Sequence, residues 1–344
     1  MHTFPSQGFV LTKFGSPEVA FHWQNIELQM NDQQVLVEVS AFGINYADIM
    51  ARIGKYGETP PLPTTIGYEV VGEITAVGEN VEKDWIGKRV LAFSQFGGYA
   101  KHSIIESDAF VAIDDAVSDA DALALSTQYV TAYYMSLYQS EIRKHDIVLI
   151  HAAAGGVGLG LVQMCKNKGA TVIAKVGDDK KIARVKGLGA DFVVNYNTSD
   201  YEQEIQTFLN GKKLTYSFNP VGGTTFKKDM RLLGAAGKLV LFGGSELSNG
   251  KYGVLSQLNF VRKMGLVIPA FLMMKSKSLL GVNMLKIALE HPAVLKHCMD
   301  EVQELYRQGK LKTFVDGVYS PEQLAEAHHY LESGKSSGKL VVRF

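Results

Sequence analysis

The segment Ile150-His-Ala-Ala-Ala-Gly-Gly-Val-Gly158 constrains this chain more than any other. It follows Ile147-Val-Leu-Ile-His151, a continuous apolar run of the kind a parallel strand buried on both faces requires. It opens Gly158 to Lys168, whose spacing predicts a helix. A strand that turns through small residues into a helix meets the demands of dinucleotide binding. The chain must turn tightly, its backbone must approach a pyrophosphate, and the helix must pack close to the strand. Gly155 and Gly158 fit the second and third demands, while Ala153 stands where the common G-x-G-x-x-G pattern has its first glycine. The bare N–H groups and positive dipole end of such a helix favour an anion.

The β-α alternation continues with a strand at Thr171–Val176, a helix at Lys180–Leu188 and a strand at Phe192–Val194. Thr215–Phe218, Lys238–Phe242 and Leu279–Val282 supply further strands of an α/β, doubly wound parallel sheet. The chain before Asp121 reads differently. Short strands at Gln34–Ser40, Val70–Val77 and Arg89–Phe93 are separated by Gly and Pro, and Tyr56–Pro63 is too proline-rich for helix or central strand. Helical spacing runs from Ala122 to Tyr138. The tail carries amphipathic helices near Leu295–Tyr306 and Pro321–Leu331 and a closing strand, Lys339–Arg343, placed to rejoin the first part. The expected boundaries are 1–127, 128–284 and 285–344.

Charge and cysteine content exclude several classes. Thirty-five Lys and Arg balance 35 Asp and Glu, so no basic surplus exists to neutralise nucleic acid. Cys165 and Cys298 are the only cysteines and read as buried thiols of a reducing, cytoplasmic protein. The opening residues Met1 to Gln7 do not have the pattern of a secretory signal. The most apolar stretch, Gly265–Met274, is about half the ~20 residues a membrane span needs. Core packing, or the wall of an apolar substrate pocket at Pro269–Met274, is expected of it instead, and no membrane insertion.

The end of the second strand bears on the choice of dinucleotide. An acid there would hold the ribose 2′-hydroxyl of NADH. Val176 is uncharged and leaves room for a 2′-phosphate, which Lys180 or Lys181 can pair with. Asp178 and Asp179 oppose that charge unless they cap the next helix. NADPH is expected over NADH.

Ala152-Ala-Ala-Gly-Gly-Val-Gly158 with Gln163 resembles the signature of the zinc-free quinone oxidoreductases (zeta-crystallin-like) of the medium-chain dehydrogenase/reductase superfamily. Gly43-Ile-Asn-Tyr-Ala-Asp48 resembles their G-x-N-x-x-D element. Pro63–Glu69, Gly72, Val77-Gly78, Gly87–Val90, Gly97–Ala100 and Gly334–Val342 extend the likeness over essentially the whole chain. From Phe271 onward it resembles most the branch of vesicle amine transport proteins and their bacterial relatives. The resemblance implies a Rossmann domain inserted in a GroES-like β-barrel domain that the C-terminal segment completes. It implies cofactor contacts at Asn45, Tyr46, Asp48, Tyr133, Gly155, Gly156, Val157, Lys180, Lys181, Tyr196, Phe242, Gly243, Val282, Asn283 and Lys339. It also implies a homodimer paired through the sheet edge near Leu279–Val282.

Zinc alcohol dehydrogenases share this architecture, but Asn45 and Tyr68 stand where they carry Cys and His ligands, and two cysteines cannot build their structural zinc lobe. His328-His329, adjacent on a presumed helix, reads as a surface pair. The expected reaction is hydride transfer from NADPH to a quinone or other activated carbonyl or alkene, electrophiles that need no Lewis acid. Tyr56, where related enoyl reductases place an active-site tyrosine, is the candidate proton donor, with Tyr46 and Tyr68 as alternates. Two other readings stand beside this one: an enoyl or enone double-bond reductase, and a cofactor-binding structural or regulatory protein with little turnover.

Overall fold

Six short runs rich in Val, Ile and Leu form one parallel sheet: β1 (Ile147–Ile150), β2 (Thr171–Val176), β3 (Phe192–Asn195), β4 (Leu214–Asn219), β5 (Leu233–Leu241) and β6 (Ser278–Gly281). The computed structural model describes residues 2–247 and 253–344, the side chains of 253–257 excepted. The chain divides into a first unit, Met1–Val130 with Met284–Phe344, and a second unit, Thr131–Asn283, which holds this sheet. The strand order is β3-β2-β1-β4-β5-β6. The order reverses between β1 and β4, and in sheets of this kind ligands bind beyond the carboxyl ends of the strands at that point. Helices α1 (Gly156–Asn167), α2 (Ile182–Gly187), α3 (Tyr201–Leu209) and α4 (Thr224–Leu232) lie in the crossovers. Leu149, Ile173, Val194 and Leu239 of the strands pack with Ile205 and Leu209 of α3 and Phe226 and Leu232 of α4. Each such burial contributes about 1.5–3 kcal/mol.

Two expectations for this part of the chain need correction. The helix expected over Ala122–Tyr138 is broken: Asp119–Leu125 and Thr127–Tyr133 are α-helical, Ser126 between them has ψ −131°, and Tyr134–Gln139 is π-helical. The break has a tertiary cause. The amide of Thr127 donates to the buried carboxylate of Glu69 at 2.8 Å instead of continuing the helix. The apolar stretch Gly265–Met274 is not core beyond Val267, which packs half-buried against the cluster of the strands. It carries a six-residue helix, Pro269–Met274, with Leu266 87%, Phe271 57%, Met273 77% and Met274 75% exposed. No described helix is long and apolar enough to cross a membrane.

The first unit is β-rich. Its seven-stranded sheet is organised on Gln34–Ile44, which pairs antiparallel with Glu69–Val77, His102–Glu106 and Lys339–Arg343. The C-terminal strand therefore does return to the first part of the chain, with Leu340 opposite Ile44. A second sheet contains the long hairpin His2–Leu11 and Phe21–Met30, whose strands carry too many polar residues to stand out by periodicity. His328, expected at the surface with His329, is instead fully buried and bonded to the Tyr99 hydroxyl at 3.2 Å, while His329 is exposed. Helical neighbours face about 100° apart, so one of the pair enters the core when the helix Leu324–Glu332 packs.

Candidate functional site

The turn after β1 joins bare backbone to strained geometry. The His151 amide donates to Phe218 O at 3.0 Å, Ala153 N to Lys175 O at 3.0 Å and Gly155 N to Ala152 O at 2.8 Å. Ala152 between them has φ +47°, a left-handed value that costs an L-residue about 1–2 kcal/mol. The expected first-glycine role at Ala153 is thus taken up one residue earlier, by an alanine that cross-strand bonds hold in place. Helix α1 begins at Gly156 with no side-chain cap from Gly155, which leaves first-turn amides without a side-chain acceptor. At Gly158 a Cβ would lie 2.4 Å from Ala152 O and 2.6 Å from Ala153 Cα, so α1 rests directly on the turn. An uncapped helix start with a cradle that side chains would fill fits the pyrophosphate of a dinucleotide.

The other expected positions of the second unit gather at the same edge of the sheet. Gly177 to Lys181 follow β2, Tyr196 follows β3, Phe242 and Gly243 follow β5, and Val282 and Asn283 follow β6. In a parallel sheet all of these are carboxyl ends, as is the turn containing Gly155, Gly156 and Val157. Tyr133 is buried at the end of its helix. Lys180 and Tyr196 are exposed, and Lys181 is half-buried. The two aspartates beside the lysines are engaged locally: Asp178 accepts the Lys180 amide at 2.9 Å, and Asp179 accepts from Asn195 Nδ2 at 2.8 Å.

The expected residues of the first unit form a buried charged cluster. Asn45 and Asp48 make a capping box at the start of the helix Tyr46–Arg52, the Asn45 amide donating to Asp48 Oδ2 at 2.7 Å. Asn45 Nδ2 donates to Glu69 Oε1 at 2.8 Å, and the Lys339 ammonium donates to Asn45 Oδ1 at 2.9 Å and to Glu69. The side chains of Glu69 and Lys339 are fully buried. Burial opposes the charge of Glu69, but Lys339 beside it, with hydrogen bonds from Lys339, Thr127 and Asn45, holds the carboxyl below its usual range. Lys339, expected at the cofactor, therefore has its ammonium engaged within this cluster. Glu69 and Tyr99 were not singled out as site residues from the sequence, and His328 was expected at the surface. A carboxylate heading the apolar run of Glu69–Val77 was the available signal, because a charge in a core needs a partner.

Asp48 is fully buried with the Tyr99 phenol alongside, and burial pushes its carboxyl up to about 7 against the lowering influence of the Asn45 amide and Lys339. An unfolded aspartate releases its proton near ~3.9. Between that value and 7 the native chain binds more protons than the unfolded chain. This contribution to stability is complete below the unfolded pKa and is lost as pH rises through 7. Denaturant titrations should show the native chain losing on the order of 4 kcal/mol relative to Asp48→Asn between pH 4 and 8. Parallel curves for the two proteins would refute the assignment.

The expected proton donors lie in the same unit. Tyr56 is half-buried and its ring meets the buried Tyr68 edge-on at 6.2 Å between centroids, with Phe96 5.3 Å from Tyr68. Burial raises both phenols above the ordinary tyrosine range, so each keeps its proton at neutral pH. Tyr46 is half-buried at the first position of its helix. Among the described residues no three His, Cys, Asp or Glu side chains converge as a metal-ligand set. Asn45 is bound to Glu69 and Lys339, Tyr68 offers a phenol held protonated, and Cys165 and Cys298 are buried free thiols. These residues do not fit a zinc ion, which takes thiolate, imidazole or carboxylate.

Comparison with known proteins agrees with this geometry. Residues 31–115 match the alcohol dehydrogenase GroES-like domain, and residues 156–299 match the zinc-binding dehydrogenase family. The synaptic vesicle membrane protein VAT-1 homolog of Danio rerio is 29% identical over 342 residues, covering 99% of this chain and 70% of that protein. The quinone oxidoreductase-like protein 2 homolog of Nematostella vectensis is 28% identical over 316 residues, covering 91% of this chain and 82% of that protein. The crystal structure of Escherichia coli quinone oxidoreductase complexed with NADPH superposes with a TM-score of 0.84 at 28% identity, covering 98% of this chain and all of that one (100%). With a Rossmann-type sheet, a GroES-like domain and relatives of these kinds, the chain belongs to the medium-chain dehydrogenase/reductase superfamily, among the quinone oxidoreductase and VAT-1 homologues.

Proposed function

We propose that this protein is an NADPH-dependent reductase of quinones or other activated carbonyls and alkenes, working without zinc. The observation that carries the reading is the uncapped start of α1, seated so closely on the strained turn that Gly158 has no room for a side chain. The quinone oxidoreductase of Escherichia coli, solved with NADPH, supports the choice of cofactor. The absence of an acid at Val176, and the local engagement of Asp178 and Asp179, support a 2′-phosphate beside Lys180, Lys181 and Tyr196. NADPH supplies a hydride when bound. The amides of Gly156 to Gly158 hold its pyrophosphate and the lysines its ribose phosphate. Tyr56, kept protonated by burial, gives the proton to the reduced substrate. Quinones and activated alkenes suit such a site because their own electrophilicity replaces a metal. The reading extends to a homodimer, since β6 is an edge strand among the described residues and an open edge invites pairing.

The test begins with melting curves. At a hundredfold excess over its dissociation constant a ligand adds about 2.7 kcal/mol. NADPH should therefore raise the transition by several degrees and NADH by less. Turnover is then assayed on naphthoquinone, phenanthrenequinone, an enal and a crotonyl thioester. Tyr56→Phe should lower turnover about 10²-fold with little change in NADPH affinity. No melting shift with either dinucleotide at millimolar concentration would remove the reading. NADPH binding without turnover on any electrophile would leave the non-catalytic role in its place.

A further inference from the structure

The second unit buries a polar cluster that the proposed chemistry does not use. His151, the last residue before the strained Ala152, is 1% exposed, and Asp229 on α4 is fully buried. His151 Nε2 lies 2.9 Å from Asp229 Oδ2, an electrostatic contact that sits off the line of the ring N–H. On the other side of the ring, Nδ1 lies 3.2 Å from the ammonium of Lys175, a β2 residue only 5% exposed. A carboxylate can only accept, and an ammonium can only donate. The pair therefore selects one form of the imidazole, neutral, with its proton on Nε2. Burial, reinforced by Lys175, holds His151 below its usual range against the pull of Asp229, in agreement with that form.

The carboxylate is itself held from three further directions. Ser217 Oγ and Asn219 Nδ2 on β4 donate to Asp229 Oδ2 at 2.9 and 2.6 Å, and the Tyr201 hydroxyl on α3 donates to Oδ1 at 3.0 Å. The Lys175 ammonium also sits over the Tyr201 ring at 4.0 Å and over the Tyr196 ring at 4.7 Å. The backbone of the same residues meets the turn: Lys175 O accepts from Ala153, and Phe218 O, between Ser217 and Asn219, accepts from His151. Both flanks of the strained Ala152 are thus tied to this cluster, through His151 on one side and Ala153 on the other.

We propose that Asp229, acting through His151 and together with Lys175, is a positioning device that keeps the Ala152–Gly158 turn in its dinucleotide-binding shape. The inference rests on the reading of that turn as a dinucleotide cradle. Asp229 and His151 touch neither cofactor nor substrate in this role; they act through the backbone. Lys175 gives the device a pH dependence. The groups facing its ammonium are His151 before the turn, Tyr201 of α3, Tyr196 after β3, and Asp229 and Lys228 of α4. Burial, with Lys228 adding to it and Asp229 opposing, lowers Lys175 to about 8. Above that pH the lysine is uncharged and no longer compels the imidazole form that faces the carboxylate.

The experiment compares the full chain with Asp229→Asn and Lys175→Met by hydrogen exchange of the peptide covering 151–158 and by NADPH titration from pH 6.5 to 9.5. Exchange in that peptide, measured without ligand, should quicken at least tenfold in both variants. NADPH affinity should fall at least tenfold at pH 7. The native protein should lose about tenfold in affinity as pH rises through 8, and Lys175→Met should give a flat profile. Lys175→Met leaves Asp229 its bonds from Ser217, Asn219 and Tyr201 and should fold even if Asp229→Asn does not. Variants that exchange, bind and titrate like the native chain overturn the proposal, as do variants that melt lower with unchanged exchange and affinity. If the native chain binds no dinucleotide, the cradle reading fails, and unaltered exchange in the ligand-free variants would still overturn the device while quickened exchange would support it.

Discussion

Replacing Gly158 with valine is expected to abolish saturable NADPH binding at millimolar concentration, a loss of at least 100-fold against the native protein. The reason is steric. The first added carbon already falls 2.4 Å from Ala152 O and 2.6 Å from Ala153 Cα, and both obstacles are backbone. Neither can rotate away as a side-chain tip would, so either α1 lifts from β1 or the turn is pushed out of shape. Either movement displaces the amides that face the anion and weakens together the bonds they make to it. Overpacking of this kind also costs about 1–3 kcal/mol of stability. Gly187→Ala is the matched control. It lies in a helix with nothing within 4 Å of the added carbon, so it should bind NADPH normally and melt no lower than the native chain. Isothermal titration with folded Gly158→Val decides the matter; near-native affinity would mean that the dinucleotide is held elsewhere.

The second large effect is expected at Lys339. Its ammonium and the Glu69 carboxylate share a site from which water is excluded, so Lys339→Met strands a buried negative charge. Removing one partner of such a pair typically costs about 3–5 kcal/mol. That corresponds to a fall of the order of 10 °C in the melting of a unit this size. Glu69→Gln in the same chain should recover a large part of the loss, since an amide can keep a bond to Asn45 without the charge. A double-mutant cycle separates this coupling from general disruption. Gly43 explains why the pair fits: a Cβ there would meet Glu69 Oε1 at 2.2 Å and Lys339 Cε at 2.4 Å. Additive losses in the cycle would show that the two charges are not coupled.

The contrast between these sites explains what could be read from residue order. The cradle was legible because its parts are contiguous: a buried strand, a turn of small residues and a helix within Ile147–Asn167. Local steric demands leave few residue types that suit such a turn. The doubly wound sheet followed, because strands alternating with helices are joined in parallel and buried parallel strands are uniformly apolar. Turn details were less legible. The left-handed residue fell on Ala152, where sequence alone pointed to the Ala153 position, because neighbouring strands supply the bonds that hold it. Ser126 interrupts a sound helical pattern because Glu69, distant in sequence, takes the next amide.

The sequence by itself determined the parallel sheet and the place of the dinucleotide turn, since each depends on periodicity or on a short motif, while the candidate tyrosines came from the family resemblance. Only the tertiary structure decided which charges are buried together. Glu69 meets Lys339 across 270 positions, and Asp229 meets His151 across elements far apart in the chain. A charge in a core is tolerated only beside its partner, and partners of that kind are chosen by the packing of the whole unit, which no local pattern records.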